Sequence, residues 1–271
     1  MMDGSLVDGG AGRRDAGRAV RTAARSGAHD TVTTGLAPGF VQANIVILPK
    51  AWAADFLLYC QRNSEACPVI AVAAAGDWTL PELGDDIDIR SDVPRYRVFR
   101  DGVCTDEPSD ISELWRDDLV TFALGCSYSF EEALLQAGLR LQHIANNTKV
   151  PIYRTGIATA PAGAFSGPMI VSMRPFAPRE AIRAIQVTSR FPRVHGAPVH
   201  FGDPAMIGIP DIRTPWSGVE PEIRPGEVPL FWACGVTPQL AIEAAKPPFC
   251  ITHKAGHMLV TDRLNAEFAS F

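Results

Sequence analysis

Apolar residues recur along this chain in two patterns, which alternate over most of its length. Continuous apolar runs predict buried strands in GFVQANIVILP, in residues 69–75 and in MIVSMRPF. Apolar residues at helical spacing predict helices in AWAADFLLYCQRN and in PREAIRAIQVTSRF, where Pro178 suits a first turn. Asp101-Gly102, inside YRVFRDGVCTD, predicts a hairpin turn. This order of elements predicts a mixed α/β fold.

Two segments repeat one local pattern: an apolar strand, a small loop with a cysteine beside a glycine, and a helix start. They are LVTFALGCSYSF and VPLFWACGVTPQ. Free backbone N–H groups and the positive end of a helix dipole meet in such loops, which can hold an anion. We therefore expect both loops at the carboxyl edge of one sheet, binding a small carboxylate, although each alone could be an ordinary connection. The candidate residues are Cys126, Ser127 and Ser129 in the first loop, and Cys234 and Thr237 in the second.

Composition along the chain predicts its organisation. Residues 1–34 predict a loose tail and a short basic helix over 15–25, which could pack on a partner subunit. Residues 35–146 and 226–271 carry the strand and helix pattern of a main domain. Residues 147–225 are rich in Pro and Gly, and we expect them to form a smaller inserted α+β domain.

The overall charge and the cysteine spacing exclude several classes of function. A net charge of −5 without long basic runs argues against nucleic acid as a partner. The N-terminus lacks the apolar stretch of a secretory signal, and no apolar run reaches the ~18 residues of a membrane helix, so we expect a cytoplasmic protein. The six cysteines form no CxxC pair and are expected as free thiols. No GxGxxG or Walker loop is present, and we expect no cofactor.

Histidine and arginine supply the other candidate residues. His195 and His200 lie in VHGAPVH, and His253 and His257 lie in THKAGH. A metal site on these four is the less favoured reading, because glycine or proline interrupts each pair; acid/base or structural roles are favoured. Arg154 and Arg174 are the guanidinium groups we expect to anchor a carboxylate near the domain junction, although surface ion pairing is the commoner role of an arginine.

The chain resembles the D-glutamate cyclase family, whose bacterial members are labelled hydro-lyases. The resemblance runs in order from about Gly35 to Asp262 and rests on segments that include DVPRYRVFRDG, LWRDDLVTFALGCSYSFEEALL, FSGPMIVSMRP, TSRFPRVHGAPVHFGDP, VPLFWACGVTPQ and ITHKAGHM. It implies a three-layer α/β/α main domain with a smaller two-layer domain. It also implies a carbon–oxygen lyase, with conversion of D-glutamate to 5-oxo-D-proline and water as the named activity.

Cyclisation of D-glutamate needs three things from a protein. It must hold amine and carboxyl together, stabilise an oxyanion and protonate the departing oxygen. We expect Arg154 or Arg174 to bind the α-carboxylate, the Cys126 loop to receive the γ-carboxyl oxygen, and His195 or His257 to move the proton.

Three alternatives stay open at the level of sequence. One is dehydration of another hydroxy or amino acid, which needs a similar set of groups. Another is racemisation by Cys126 and Cys234, whose thiol pKa values would be lowered by the helix starts. The third is a non-catalytic carboxylate-binding protein; a homo-oligomer is compatible with all three.

Overall fold

The computed structural model describes residues 11–270, which form a mixed α/β structure, as the sequence predicts. The loose tail predicted over residues 4–12 lies mostly outside this range, and the helix predicted over 15–25 begins earlier, at Ala11. No helix within residues 11–270 is long and apolar enough to cross a membrane. The helices are α1 Ala11–Arg25, α2 Lys50–Arg62, α3 Tyr128–Gln136, α4 Gln142–Ala145, α5 Pro178–Thr188 and α6 Val236–Ala245. The strands are β1 Phe40–Pro49, β2 Val69–Val72, β3 Tyr96–Arg100, β4 Val103–Asp106, β5 Leu119–Leu124, β6 Ile152–Ala158, β7 Pro168–Phe176, β8 His200–Phe201, β9 Val228–Ala233, β10 Cys250–His253 and β11 Leu259–Leu264.

A seven-stranded sheet is built around β1, which is buried along its whole length. The strand order is β2-β5-β1-β10-β3-β4, and β11 also pairs with β1. One edge of β1 pairs with β5, and the other edge is shared by β11 near Ala43 and β10 near Val46. All of these pairings are antiparallel. The hairpin predicted at Asp101-Gly102 joins β3 to β4 and is confirmed, with positive φ at both residues.

A four-stranded antiparallel sheet has the order β6-β7-β9-β8. Strand β9 pairs with β7 from Val171↔Ala233 to Phe176↔Val228. The two cysteine loops therefore leave different sheets, β5 in the first and β9 in the second, and the expectation of one shared sheet edge is wrong. Strand register is a long-range property, so the local pattern of β9 could not reveal its partner. The division into domains and their layers stays a prediction.

Strand β1 has an apolar core on each of its faces. Val41, Ala43, Ile45 and Ile47 point to one cluster, which includes residues of α3 and α5, while Val46 and Leu48 belong to another, which includes residues of α2 and α6. Strand β9 contributes Trp232 to the first cluster and Ala233 to the second. The end of β9 therefore lies where the two sheets meet.

Helix α1 packs one face on β11 of its own chain, while most of its other described side chains are exposed or half-buried, and packing on a partner subunit stays a prediction. Gly17 permits the contact, since a Cβ there would overlap the carbonyl oxygen of Thr261. Arg21 is fully buried and donates to Val260 O at 2.9 Å, to the carboxylate of Asp262 at 2.8 and 2.9 Å, and to Asp86. A basic helix can therefore bury one of its arginines when carboxylates surround that residue.

Replacing Arg21 should destabilise the fold much more than replacing Arg18. Arg21→Met leaves Asp86 and Asp262 without a buried partner, and we expect a loss of about 3 kcal/mol in the free energy of unfolding, because both carboxylates keep some access to solvent. Arg18 is 65% exposed and pairs with Asp86 at 3.3 Å, so Arg18→Met should cost about 1 kcal/mol or less. Urea denaturation measures both; equal losses would contradict the assignment of Arg21.

Candidate active site

The two cysteine turns meet across a single side chain, that of Asn44 in β1. Asn44 Nδ2 donates to Gly125 O at 3.1 Å in the first turn, and the Asn44 side chain shares a hydrogen bond with the thiol of Cys126. On the second turn, a Cβ added to Gly235 would overlap Asn44 Nδ2. Because Asn44 is only 6% exposed, its amide forms a buried link between turns that come from different sheets.

Gly125 and Gly235, the glycines beside the cysteines, lie where atoms of other segments leave no room for a side chain. At Gly125 a Cβ would overlap the backbone oxygen of Arg193, which belongs to the loop that carries His195. The cysteine–glycine pattern in the sequence thus marks two places where other parts of the chain pack directly on the turns.

Each thiol accepts a hydrogen bond from a backbone N–H at a helix start. The N–H of Tyr128 donates to the sulfur of Cys126, and the N–H of Val236 donates to the sulfur of Cys234. Cys126 is buried and Cys234 is half-buried, and the two lie close enough for their charges to interact. The structure therefore brings the two predicted cysteines together at two helix starts.

The thiols are nevertheless protonated at neutral pH. Burial raises the pKa of Cys126 to about 12, despite the N–H group donated by Tyr128. Burial also raises the pKa of Cys234 above its usual value. The expectation that the helix starts would lower these pKa values is wrong, because loss of water around the sulfur outweighs the helix dipole and hydrogen bonds.

A buried ionic group adjoins the first turn. Arg174, in the central strand β7, donates through Nε to Glu131 Oε1 at 2.9 Å, donates through Nη2 to the same oxygen, and donates through Nη1 to Ser172 Oγ at 3.0 Å. Its guanidinium carbon lies 5.3 Å from the ring centroids of both Phe130 and Trp232. Arg174 interacts electrostatically with Cys234, and Glu131 with Cys126.

Glu131 is ionised at the centre of this group. Burial alone would raise the pKa of its carboxyl, but the charge of Arg174, the nearby ring of His143 and the hydrogen bonds from Arg174 hold that pKa below its ordinary value. His143 Nε2 lies 3.0 Å from Glu131 Oε1. The phenol of Tyr128, which is half-buried, interacts with the charges of Glu131 and Arg174, and burial raises its pKa.

His195 occupies a backbone position that is unusual for histidine, with φ of 84°. Its Nδ1 lies 2.7 Å from Glu65 O, and the ring also bonds the backbone of Gly125. Burial lowers its pKa to about 4, so the ring is neutral at pH 7. These backbone contacts tie the ring to the first turn.

A second pair of histidines lies beside β1. His253 Nδ1 accepts the N–H of Ile45 at 3.1 Å, and His253 Nε2 lies 3.5 Å from Gln239 Nε2 of α6. Burial lowers the pKa of His253 to about 4, and nearby His257 lowers it further. His257 Nδ1 lies 3.1 Å from Ala255 O.

The other predicted residues divide between the turns and the surface. Thr237 Oγ1 accepts the N–H of Ile170 at 3.0 Å and so ties α6 to β7. Ser127 is buried at the start of α3, and the Oγ of Ser129 is buried with no hydrogen-bond partner in the described part of the chain. His200 lies in edge strand β8, and its Nε2 is 2.8 Å from the backbone oxygen of Asp203.

Arg154 lies apart from this cluster of residues. It is exposed on edge strand β6, and its guanidinium lies 4.7 Å from the ring centroid of Trp216. Of the two arginines expected to anchor a carboxylate, only Arg174 is brought to the turns.

The sequence did not predict a role in the site for Asn44, Glu131, His143 or Tyr128. Asn44 had a visible signal, since an amide inside the apolar run of β1 must find a buried partner. Glu131 and His143 gave no signal, because their pairing depends on how α4 folds back beside α3. Within residues 11–270 no three His, Cys, Asp or Glu side chains are placed to hold a metal ion.

A hollow of about 420 Å³ lies elsewhere, between α3, α5 and the C-terminal turn. None of the residues that line it is a cysteine, a histidine or an acid. The chemistry described above therefore lies at the two turns and not in this hollow.

Comparison with known proteins identifies the family. The family model of D-glutamate cyclase matches residues 120–262, a range that includes both cysteine turns and Arg174. A protein of Bordetella pertussis named "Putative hydro-lyase" is 62% identical over 256 residues, which cover 94% of this chain and 92% of that protein. The chain belongs to the D-glutamate cyclase family. An Aliivibrio salmonicida protein of the same designation is 56% identical over 250 residues, 92% of this chain and 96% of its own.

The predicted D-glutamate cyclase resemblance is thereby confirmed at the level of family. Among solved structures, a nitrogen repressor-like protein from Methanococcus jannaschii aligns with a TM-score of 0.37 and 8% identity, over 86% of this chain and 90% of that one. This score does not indicate a shared fold.

The contact between Gly235 and Asn44 predicts a coupling between two substitutions. Gly235→Ala should lower the free energy of unfolding by about 1–3 kcal/mol, since its Cβ overlaps the Asn44 amide. In an Asn44→Ala background the same change should cost less, because the overlapping atom is gone. Gly167→Ala is the control, as a Cβ there meets no atom within 4 Å. Equal costs of Gly235→Ala in both backgrounds would contradict the contact.

The low pKa of His253 predicts loss of stability in acid. The unfolded chain binds a proton at this ring below about pH 6.5, whereas the folded chain binds it only near pH 4. The free energy of unfolding should therefore fall as pH falls, by about 3 kcal/mol from this ring at pH 4. In His253→Gln the decrease between pH 6.5 and 4 should be smaller by that amount, while His200→Gln should resemble the wild type. An unchanged pH dependence in His253→Gln would contradict the assignment.

Proposed function

We propose that this protein is a hydro-lyase that closes D-glutamate to 5-oxo-D-proline and water, in the site formed by the two cysteine turns. The family and the hydro-lyase designation of its relatives support the reaction class. The observation that carries the proposal is the convergence of two helix starts and one buried arginine around Asn44.

The charge of this site fits a substrate with two carboxylates. Helices α3 and α6 both begin at the site, and the positive ends of their dipoles favour anions. Three of the five N–H groups of Arg174 make the bonds described above, so among the described residues two stay available to a ligand. The unpartnered buried hydroxyl of Ser129 adds a hydrogen-bonding group one residue into α3.

These groups serve the steps that cyclisation needs. Arg174 and one helix start would hold the α-carboxylate, and the other start would stabilise the oxyanion formed when the amine attacks the γ-carboxyl carbon. Burial strengthens both interactions, since little water competes for the charge. Half-buried Tyr128 and Cys234 are the members of the site with access to solvent, and they mark where a substrate would enter.

Racemisation is a second candidate that one observation favours: the two thiols interact across the site. Their raised pKa values oppose it, because a thiol that stays protonated is a poor base for an α-proton. Cyclisation requires no thiolate, and it is therefore the preferred function.

Proton NMR of the protein with D-glutamate, L-glutamate and a panel of hydroxy acids tests the proposal. We expect 5-oxo-D-proline from D-glutamate, and Arg174→Lys should lower kcat/KM by about 10- to 100-fold, since it loses the planar guanidinium but keeps the charge. Arg183→Lys, in the separate hollow, is the matched control and should retain activity.

The same spectra separate the alternatives. Deuterium at Cα without ring closure, abolished by Cys126→Ser but not by Cys104→Ser, would replace cyclisation by racemisation. Dehydration of a hydroxy acid, with no conversion of glutamate, would keep the lyase class and change the proposed substrate. A rise in melting temperature with a carboxylate that the NMR spectra show to be unconverted would indicate a binding protein.

A further inference from the structure

Arg174 uses only part of its guanidinium for contacts inside the protein. Nε and Nη2, which form one side of the group, both donate to Glu131 Oε1, through Nε at 2.9 Å. Nη1 donates one hydrogen to Ser172 Oγ at 3.0 Å. A guanidinium has five N–H groups, so one hydrogen on Nη1 and one on Nη2 have no partner among the residues that the structure describes.

These two hydrogens lie at the end of the guanidinium. Ser172 precedes Arg174 by two residues, so both side chains lie on the same face of β7. Ser172 Oγ therefore meets Nη1 on the side of the Arg174 stem, while Glu131 meets Nη2 on the side of Nε. The edge between Nη1 and Nη2 keeps two parallel N–H groups, which match the two oxygens of a carboxylate.

Contacts along β7 place this edge on the side of the second cysteine turn. The side chain of Arg174 reaches back along the strand to Ser172, which pairs with Trp232 of β9. Two residues further back, Ile170 O accepts the N–H of Cys234 at 2.9 Å. Arg174 also interacts electrostatically with Cys234. The end of the guanidinium is therefore directed along β7 toward the turn at Cys234.

The other side of the guanidinium is held by the helix of the first cysteine turn. Glu131 lies in the first turn of α3 and is buried. The rings of Phe130 and Trp232 are fully buried, and each centroid lies 5.3 Å from the guanidinium carbon. Hydrogen bonds on two sides and these rings together hold the guanidinium in one orientation.

We propose that Glu131 and Ser172 are positioning residues, which hold the Nη1–Nη2 edge of Arg174 toward the second turn so that it binds the α-carboxylate of the substrate through two parallel hydrogen bonds. The inference rests on the proposed function and deepens it, since it defines the ligand group that this edge accepts. A carboxylate offers two acceptor oxygens, whereas a carboxamide offers one and opposes the other N–H with donors of its own. Glu131 also keeps the buried guanidinium paired before a ligand binds.

¹⁵N NMR of the Arg174 guanidinium tests the orientation without any turnover. Its signals are assigned by their absence in Arg174→Lys. We expect separate Nη1 and Nη2 signals in the ligand-free protein at low temperature, because bonds to different partners slow the rotation of the group. Addition of 5-oxo-D-proline should move one hydrogen on Nη1 and one on Nη2 downfield. A shift of Nε–H alone, or no shift, would overturn the proposal.

The affinities of two matched ligands test the fit of the carboxylate. 5-oxo-D-prolinamide differs from 5-oxo-D-proline only by a carboxamide in place of the carboxylate. In calorimetry the wild type should bind the acid at least about tenfold more tightly, since the acid alone accepts two charged hydrogen bonds. Arg174→Lys, which lacks the planar fork, should reduce this ratio. Equal affinities of the wild type for the two ligands would contradict the inference.

Ser172→Ala tests positioning without removing a charge. It should weaken the binding of 5-oxo-D-proline by about 5- to 10-fold, which corresponds to about one hydrogen bond, and leave the binding of the amide unchanged. For a substrate that the wild type converts, KM should rise while kcat changes less than about threefold. General damage to the fold would weaken both ligands alike. Exposed Ser189 supplies the control, Ser189→Ala; an unaltered affinity of Ser172→Ala for the acid would overturn the role of Ser172.

Glu131→Gln tests the other positioning residue. A neutral amide competes poorly with a ligand carboxylate for Nε–H, so 5-oxo-D-proline should now also shift the Nε–H signal of Arg174. Glu131→Asp, which keeps the charge, should restore the wild-type pattern. Glu132→Gln is the matched control, because the Glu132 carboxylate accepts from Asn265 Nδ2 at 2.8 Å instead. An Nε–H signal that the ligand leaves unmoved in Glu131→Gln would overturn the role of Glu131. Circular dichroism confirms that each variant is folded, and Ser172→Ala decides if Glu131→Gln is not.

Two results separate this inference from the proposed function. If the wild type converts D-glutamate but binds 5-oxo-D-proline without moving the Nη1 and Nη2 signals, the inference is overturned and the proposed function stands. If the wild type converts no carboxylate but binds 5-oxo-D-proline through those two nitrogens, the proposed function fails and the inference stands. If 5-oxo-D-proline is neither formed nor bound, both are overturned.

Discussion

The structure depends on one buried amide, that of Asn44, which lies between two turns. Asn44 lies inside β1, which is buried along its whole length, and an unpaired amide there is costly. The first turn supplies its acceptor at Gly125, and the second turn packs against it through Gly235. Because the first turn belongs to one sheet and the second to the other, the site exists only where the two sheets are docked.

Burial sets the chemical character of this site. Cys126 and Cys234 stay protonated and His195 and His253 stay neutral, because a charge on any of them would lose its water. Arg174 and Glu131 keep their charges because each neutralises the other. A substrate anion would therefore meet fixed dipoles and one paired guanidinium in a site with little competing water, which is the environment that stabilises developing charge.

Local features of this fold could be predicted from sequence, and long-range ones could not. The strand β1, the proline at the start of α5 and the hairpin at Asp101-Gly102 follow from patterns a few residues long. The pairing of β9 with β7 depends on contacts across more than fifty residues, so the sheet of the second turn was assigned wrongly.

The two candidate arginines also show that local sequence does not determine burial. Arg154 and Arg174 have similar flanking residues, but β6 is an edge strand and β7 is a central one, so Arg154 is exposed and Arg174 is buried. On α1, which is largely exposed as predicted, the burial of Arg21 against β11 and three aspartates could not be predicted, because those partners are distant in sequence.

The most direct test of the account is a crystal structure of the protein with 5-oxo-D-proline. We predict its carboxylate between the turn at Gly125–Ser127 and the turn at Cys234–Gly235, within hydrogen-bond distance of a helix start; a ring bound only in the hollow between α3 and α5 would contradict the account.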